Sequence, residues 1–292
     1  MFEGTYVAMV TEFTGGRVDL DGVRSLARRL IAGGVNGLVP VGCTGEAATL
    51  SVEERADVIK AVLEARGDNK SVKVIPGTGT NATDSSVELT QAAADLGADG
   101  AMLITPYYNK PTQGGLIKHY QTVAEKVNIP IVLYNVPGRT GVNMLPDTVH
   151  ELAAIDNIVA VKEASGNIDQ VSRIVRSTSI TVLSGDDSLT LPMMSVGARG
   201  VVSVAGNVAP GDMSDMVKSF LAGDAEGARR IHLRLLPLLH VLFVETNPGP
   251  VKAALKLMGA GSGELRLPLV PISGESESQV RAVLAGLGFI GG

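Results

Sequence analysis

Asn157-Ile-Val-Ala-Val-Lys162-Glu-Ala-Ser-Gly166 is a run of four apolar residues, three of them β-branched, that ends in a lysine. Branched apolar side chains at consecutive positions, with no polar alternation, read as a strand buried on both faces. An ammonium group at the end of such a strand is costly to bury, and its simplest relief is loss of the proton. A neutral amine near neutral pH is a nucleophile that forms a Schiff base with a carbonyl compound. The plainer alternative is a lysine reaching out of the strand end to solvent, or to a carboxylate such as Glu163 or Asp186.

The same kind of apolar run recurs along the chain. Strands are expected at Thr5–Val10, Gly37–Val41, Val72–Pro76, Ala101–Thr105, Ile129–Tyr134, Ile158–Lys162, Ile180–Leu183 and Gly200–Val204. Amphipathic stretches lie between them: Asp21–Ala32, Ser51–Ala65, Thr83–Leu96, Gln113–Glu125, Pro146–Ala153 and Ile168–Arg176. Ser51 and Glu54 form a capping-box pattern. Buried strands alternating with helices imply a parallel sheet covered by helices, and eight such units close a TIM (β/α)8 barrel, an α/β fold. An open, doubly wound sheet is the alternative; the count of eight and the polar residues at many strand ends favour the barrel. After about Gly223 the alternation stops. Ala225–Val244, Gly249–Met258 and Glu275–Leu287 read as helices joined by Gly/Pro-rich turns. The expected organisation is a catalytic barrel over 1–224 and a C-terminal helical extension over 225–292.

Composition narrows the function classes. The chain has 292 residues, 45% hydrophobic and 19% charged, which suits a globular fold with a large core. Net charge is −5 with scattered basic residues, which speaks against nucleic acid as a partner. The one cysteine, Cys43, allows no intrachain disulfide and suggests a reducing compartment. No signal peptide is evident, and no apolar stretch approaches the ~20 residues needed to span a bilayer. A cytoplasmic location and no membrane association are expected.

Barrel active sites lie at the C-terminal ends of the strands. Those ends carry Thr11, Gly42-Cys43-Thr44-Gly45-Glu46, Gly77-Thr78-Gly79-Thr80-Asn81, Thr105-Pro-Tyr107-Tyr108, Tyr134-Asn-Val-Pro-Gly-Arg139-Thr140, Lys162, Ser184-Gly185-Asp186-Asp187, and Ser203 with Asn207. None is a histidine. His119, His150, His232 and His240 fall in expected helices without metal-ligand spacing, so neither a metal site nor a Ser-His-Asp triad is expected. Each remaining candidate has two readings. Tyr134 is a half-buried strand-end tyrosine or a proton shuttle to the amine. Arg139 is a surface-loop arginine or a fork for a substrate carboxylate. Gly77-Thr-Gly-Thr lacks the third glycine and the lysine of a phosphate loop, and reads as a tight turn. Asp186 and Asp187 read as caps of the next helix. Tyr107-Tyr108 serves interface packing or catalysis.

Gly42-x-Thr44-Gly45-Glu46, Thr105-Pro-Tyr-Tyr108, Tyr134-Asn-Val-Pro-x-Arg139-Thr and Val161-Lys162-Glu163-Ala164 occur in this order at barrel-strand ends. Together they resemble the dihydrodipicolinate synthase family of class I pyruvate-dependent aldolases, over essentially the whole chain. The lysine with Tyr-Asn-x-Pro marks the superfamily. Arg139 marks the subfamily, because sialate lyases usually lack arginine there. The resemblance implies condensation of pyruvate with L-aspartate 4-semialdehyde to 4-hydroxy-tetrahydrodipicolinate, a step of lysine (diaminopimelate) biosynthesis, with no cofactor. It implies that Lys162 forms the imine and that Tyr134 moves protons. A hydroxyl relay would run on to Tyr108, contributed by a neighbouring subunit. Thr44 would hold the pyruvate carboxylate and Arg139 that of the semialdehyde, while Gly185, Asp186 and Val202 would contact substrate. A homotetramer, a dimer of dimers, is implied. The competing readings are an aldolase for sialic acid or a 2-keto-3-deoxy sugar acid, which Arg139 opposes, and a non-catalytic barrel.

Two positions depart from the family pattern. The relay threonine of Gly-Thr-Thr-Gly-Glu is Cys43 here, and a thiol is a weaker hydrogen-bond partner than a hydroxyl. The positions matching the family's lysine-effector site are Val52, Arg55, Asn81, Ser85 and Tyr107. Asn81 and Tyr107 are kept, but the histidines and the acid are gone and Arg55 stands in the place of an anionic partner. Weak or absent feedback by L-lysine is expected.

Overall fold

The computed structural model describes residues 2–291. All eight expected strands are present: β1 (Gly4–Ala8), β2 (Gly37–Val39), β3 (Lys73–Val74), β4 (Ala101–Ile104), β5 (Ile131–Asn135), β6 (Ile158–Glu163), β7 (Thr181–Ser184) and β8 (Gly200–Ser203). They form one parallel sheet in the order β3-β2-β1-β8-β7-β6-β5-β4. Its two ends meet. The Thr78 N–H donates to the Met102 carbonyl at 3.0 Å and the Met102 N–H to the Pro76 carbonyl at 2.9 Å. A parallel bridge between Gly77 and Met102 thus closes the sheet into a barrel and excludes the open, doubly wound alternative.

Strands β2 and β3 are shorter than expected, and proline is the reason. Pro40 and Pro76 have no N–H to give the ladder, so regular pairing stops before each. The chain stays extended nevertheless, as the Gly77 N–H reaches the Pro40 carbonyl at 2.9 Å. Gly79 passes so close to β4 that an added Cβ would lie 2.5 Å from the Ile104 amide nitrogen. The Gly77-Thr-Gly79 glycines therefore serve close approach of strands, as the tight-turn reading holds.

Helices follow every strand: α1 (Leu20–Ala32), α2 (Val52–Arg66), α3 (Thr83–Asp95), α4 (Gln113–Lys126), α5 (Pro146–Leu152), α6 (Ile168–Ser177), α7 (Thr190–Ser195) and α8 (Pro210–Leu221). Ser51 caps α2 as expected: its hydroxyl accepts from the Glu54 N–H at 3.2 Å, and the Glu54 carboxylate accepts from the Ser51 N–H at 3.0 Å. A small hairpin, Phe13–Thr14 with Arg17–Val18, precedes α1. Three further helices, α9 (Ala225–Val241), α10 (Gly249–Leu257) and α11 (Gly274–Gly286), pack on the barrel and on each other.

Strand parity divides the interior into two layers. Outward side chains such as Val7, Leu38, Leu103, Leu133 and Val161 pack under the helices. Inward ones, among them Tyr6, Ala8, Ile75, Met102, Tyr134, Ala160 and Val202, fill the barrel. Lys162 shares the parity of Ala160 and so faces the barrel axis. Glu163 has the opposite parity. Its carboxylate accepts from Asn135 Nδ2 at 3.0 Å, Gln170 Nε2 at 3.1 Å and the Ser165 N–H at 2.7 Å. Glu163 therefore serves the outer layer and is not the partner of Lys162.

Candidate active site

Lys162 is buried, and the β5–β6 register sets it beside Tyr134. Its Nζ lies 4.0 Å from the centre of the Tyr134 ring. Ala160, the preceding inward residue on β6, and Leu183, the register partner of Lys162 on β7, are both buried and give the amine an apolar setting. Burial pulls the amine down from 10.5 to about 8; the Arg139 charge adds to that, while Cys43 and Asp187 oppose it. A population of free base is thus present near neutrality. Burial also raises the Tyr134 phenol well above its usual value, so it stays protonated. Gly185 makes room for the lysine, since a Cβ there would lie 3.0 Å from Lys162 Cε and 2.6 Å from the Ala164 Cβ.

A cavity of about 330 Å³ opens beside this pair. Cys43, Tyr134, Arg139 and Tyr107 line it, together with Asn247 and Leu269 from beyond the barrel. Thr44 is buried next to Cys43, in a loop that follows β2 through Val41, whose φ is +50°. A β-branched residue in left-handed backbone is strained, and such strain persists where surrounding contacts over-determine the chain. Those contacts come from the C-terminal extension, from α10 and the loops that flank it. Glu46, also left-handed at φ +52°, forms a fully buried ion pair with Lys252 of α10 and accepts the Arg266 N–H at 3.0 Å. Lys252 further donates to the Glu264 carbonyl at 2.7 Å and stands 4.2 Å above the Phe13 ring. Asn247 Nδ2 donates to Thr44 Oγ1 at 3.0 Å.

The structure thus brings Lys162, Tyr134, Cys43, Thr44 and Arg139 to one end of the barrel, with Gly185 beside the lysine and Val202 in the inner layer. Arg139 sits in a helical turn, Pro137–Thr140, and its Nη2 donates to the Asn247 carbonyl at 3.3 Å. Asp186 stands apart in role: its carboxylate accepts from the Ser188 N–H at 2.9 Å and shapes the turn into α7. Asp187 departs from the helix-cap reading. It is buried, and its Oδ2 accepts the Val204 and Ala205 N–H groups at the end of β8, at 2.9 and 2.8 Å. Tyr108 is 89% exposed with φ +76° and, unlike Tyr107, does not line the cavity. Asn81 accepts the Asn109 amide through its carbonyl at 2.7 Å. Arg55 lines the cavity with Tyr107, and its guanidinium donates to the Ala47 carbonyl. Among the described residues no group of three or more His, Cys, Asp or Glu side chains is placed to hold a metal, and no helix is long and apolar enough to cross a membrane.

Sequence reasoning missed Asn247, Lys252 and Arg266. No motif marks them; the only local signal is the Asn247-Pro-Gly turn before α10.

Comparisons with known proteins place the chain in a family. A family model described as the dihydrodipicolinate synthetase family matches residues 1–286. The 4-hydroxy-tetrahydrodipicolinate synthase of Geobacter sulfurreducens is 51% identical over 286 residues, covering 97% of this chain and 98% of that one. A crystal structure of a dihydrodipicolinate synthase superposes with a TM-score of 0.97 at 51% identity, over 99% of this chain and 100% of that one. A dihydrodipicolinate synthase variant characterised as the first monomeric one superposes with a TM-score of 0.97 at 44% identity, over 99% and 98%. The chain belongs to the dihydrodipicolinate synthetase family.

Proposed function

We propose that this chain condenses pyruvate with L-aspartate 4-semialdehyde to 4-hydroxy-tetrahydrodipicolinate, as a lyase of lysine (diaminopimelate) biosynthesis. The observation that carries the reading is the buried Lys162 amine, held near pH 8 against the Tyr134 ring at the mouth of a barrel. The free amine attacks the pyruvate ketone, the carbinolamine loses water, and an imine forms. Loss of a methyl proton gives an enamine, whose carbon attacks the aldehyde of the second substrate. The amino group of that substrate then closes on the imine carbon and releases Lys162. Tyr134, kept protonated by burial, gives and takes protons at the imine nitrogen and the carbinolamine oxygen. Thr44 holds the pyruvate carboxylate. Arg139, exposed at the mouth, takes the carboxylate of the semialdehyde. Gly185, Asp186 and the Val202 carbonyl flank the substrate.

Residues 1–224 act as the catalytic barrel and 225–292 as the extension in this reading. An exposed tyrosine in left-handed backbone, Tyr108, fits a relay completed across a subunit interface, and a homotetramer built as a dimer of dimers is the expected assembly. A cytoplasmic location suits a chain with one cysteine. The deciding experiment is borohydride reduction with pyruvate: mass trapped on Lys162 supports the Schiff base, and absence of an adduct rejects it. An assay comparing aldehydes separates the synthase from a sugar-acid aldolase.

Imine formation needs the unprotonated amine. The pyruvate-dependent kcat/KM should therefore climb about tenfold per pH unit up to about 8 and level off above it. A profile flat from pH 6 to 9 contradicts the assigned amine. Cys43→Thr should keep turnover or raise it by up to about tenfold, the scale of one better hydrogen bond. A collapse would give the thiol its own role. L-lysine at about 1 mM should leave more than half the initial rate, a binding energy weaker than about 4 kcal/mol, because an effector's ammonium would meet the Arg55 guanidinium that lines the cavity. Stronger inhibition would overturn that expectation.

A further inference from the structure

Asn247 lies outside the barrel, between α9 and α10, yet it touches two groups of the site. Its Nδ2–H donates to Thr44 Oγ1 at 3.0 Å, and its carbonyl accepts from Arg139 Nη2 at 3.3 Å. The residue is buried and lines the cavity, and its own Oδ1 has no hydrogen-bond partner among the described residues. A buried amide kept only for the fold normally satisfies both ends, so a half-satisfied one points to a demand set elsewhere. The polarity of the contact shows what that demand is. A threonine hydroxyl that accepts from an amide must direct its own proton away from that amide. The Thr44 hydroxyl is thereby left as a donor, which is what a substrate carboxylate needs.

The geometry points to Asn247 as a positioning residue that polarises Thr44 toward the pyruvate carboxylate and tethers Arg139 from behind. This inference rests on the proposed Schiff-base reading. The C-terminal extension on this account supplies part of the substrate-binding machinery, through one residue 203 positions from its partner.

Asn247→Ala removes the donor. It should raise the pyruvate concentration needed for half-maximal borohydride trapping on Lys162 by about three- to tenfold, with a smaller change in the limiting rate. Asn247→Asp places an acceptor against Thr44 at neutral pH. It should cost more, about 100-fold, and its ratio to the native protein at the same pH should recover as pH falls and the new carboxyl becomes a donor, while the ratio for Asn247→Ala stays constant. In a Thr44→Val background the Asn247→Ala loss should vanish, because the partner is already absent. If Asn247→Ala does not yield folded protein, Asn247→Ser, which keeps a donor, takes its place in the cycle and should lose less than threefold. Additive losses in the cycle, or a pyruvate dependence unchanged in both the Ala and Asp variants, would overturn the inference. Failure of the native protein to trap pyruvate is a different outcome and would instead reject the reading on which the inference rests.

Discussion

Lys162→Met abolishes turnover and stabilises the fold. Removing the covalent nucleophile should lower kcat by at least about 10³-fold, since the remaining groups can still bind but have no amine through which to act. The stability change has a definite sign. The amine has a pKa of about 8 in the folded protein against 10.5 when exposed. Between those values the unfolded chain holds the proton and the native chain does not, so stability rises with pH across that window. Below about 8 the full penalty is present, about 3 kcal/mol at 1.36 kcal/mol per pH unit. A methionine in the same apolar setting carries no such penalty. The variant should therefore be more stable than the native chain by up to about 3 kcal/mol at pH 7, with the gain fading between pH 8 and 10.5. Urea unfolding at several pH values and fixed protein concentration measures this, alongside the steady-state rate. Residual turnover above about 1% of native, or a variant less stable than native at pH 7, contradicts the assigned role.

The second large effect concerns the pair that anchors the Gly42–Glu46 loop. Glu46 and Lys252 are each about 1% exposed at the side chain, and among the described residues the carboxylate has only Lys252 and the Arg266 N–H as partners. Lys252→Met leaves a buried carboxylate without its cation, a change that costs about 3–5 kcal/mol. The loss should be accompanied by reduced affinity for pyruvate, because Thr44 lies two residues from Glu46. The double variant Lys252→Met with Glu46→Gln should recover most of the stability, since no lone charge remains. A single-variant loss under about 1 kcal/mol would show that the pair is solvated and does not hold the loop.

Much of the barrel is legible in the amino-acid sequence. Ile158–Val161 and its seven counterparts are short and apolar, and each is followed by an amphipathic stretch or a capping residue. Proline accounts for the two largest differences in strand length: Pro40 and Pro76 cut the ladders of β2 and β3, where composition alone suggests longer strands. Gly15-Gly16, at φ +59° and +77°, is a turn signal, but the two-residue strands that flank it carry too little alternation to mark a hairpin. The candidate site is legible where its residues lie at strand ends. Lys162, Tyr134, Cys43, Thr44 and Arg139 all belong to that set.

What the sequence by itself determined is the strand–helix repeat and the amine at the end of the sixth strand, because apolar periodicity is a local property of the chain. The tertiary structure alone decided three things. The Thr78–Met102 bond closed the sheet. Strand parity turned Lys162 inward to Tyr134 and Glu163 outward to Asn135 and Gln170. Asn247 and Lys252 came back to the loop after β2 across sequence separations of 203 and 206 residues. Such polar contacts between single residues on distant loops leave no periodic trace, and only the folded path of the chain sets which groups face each other.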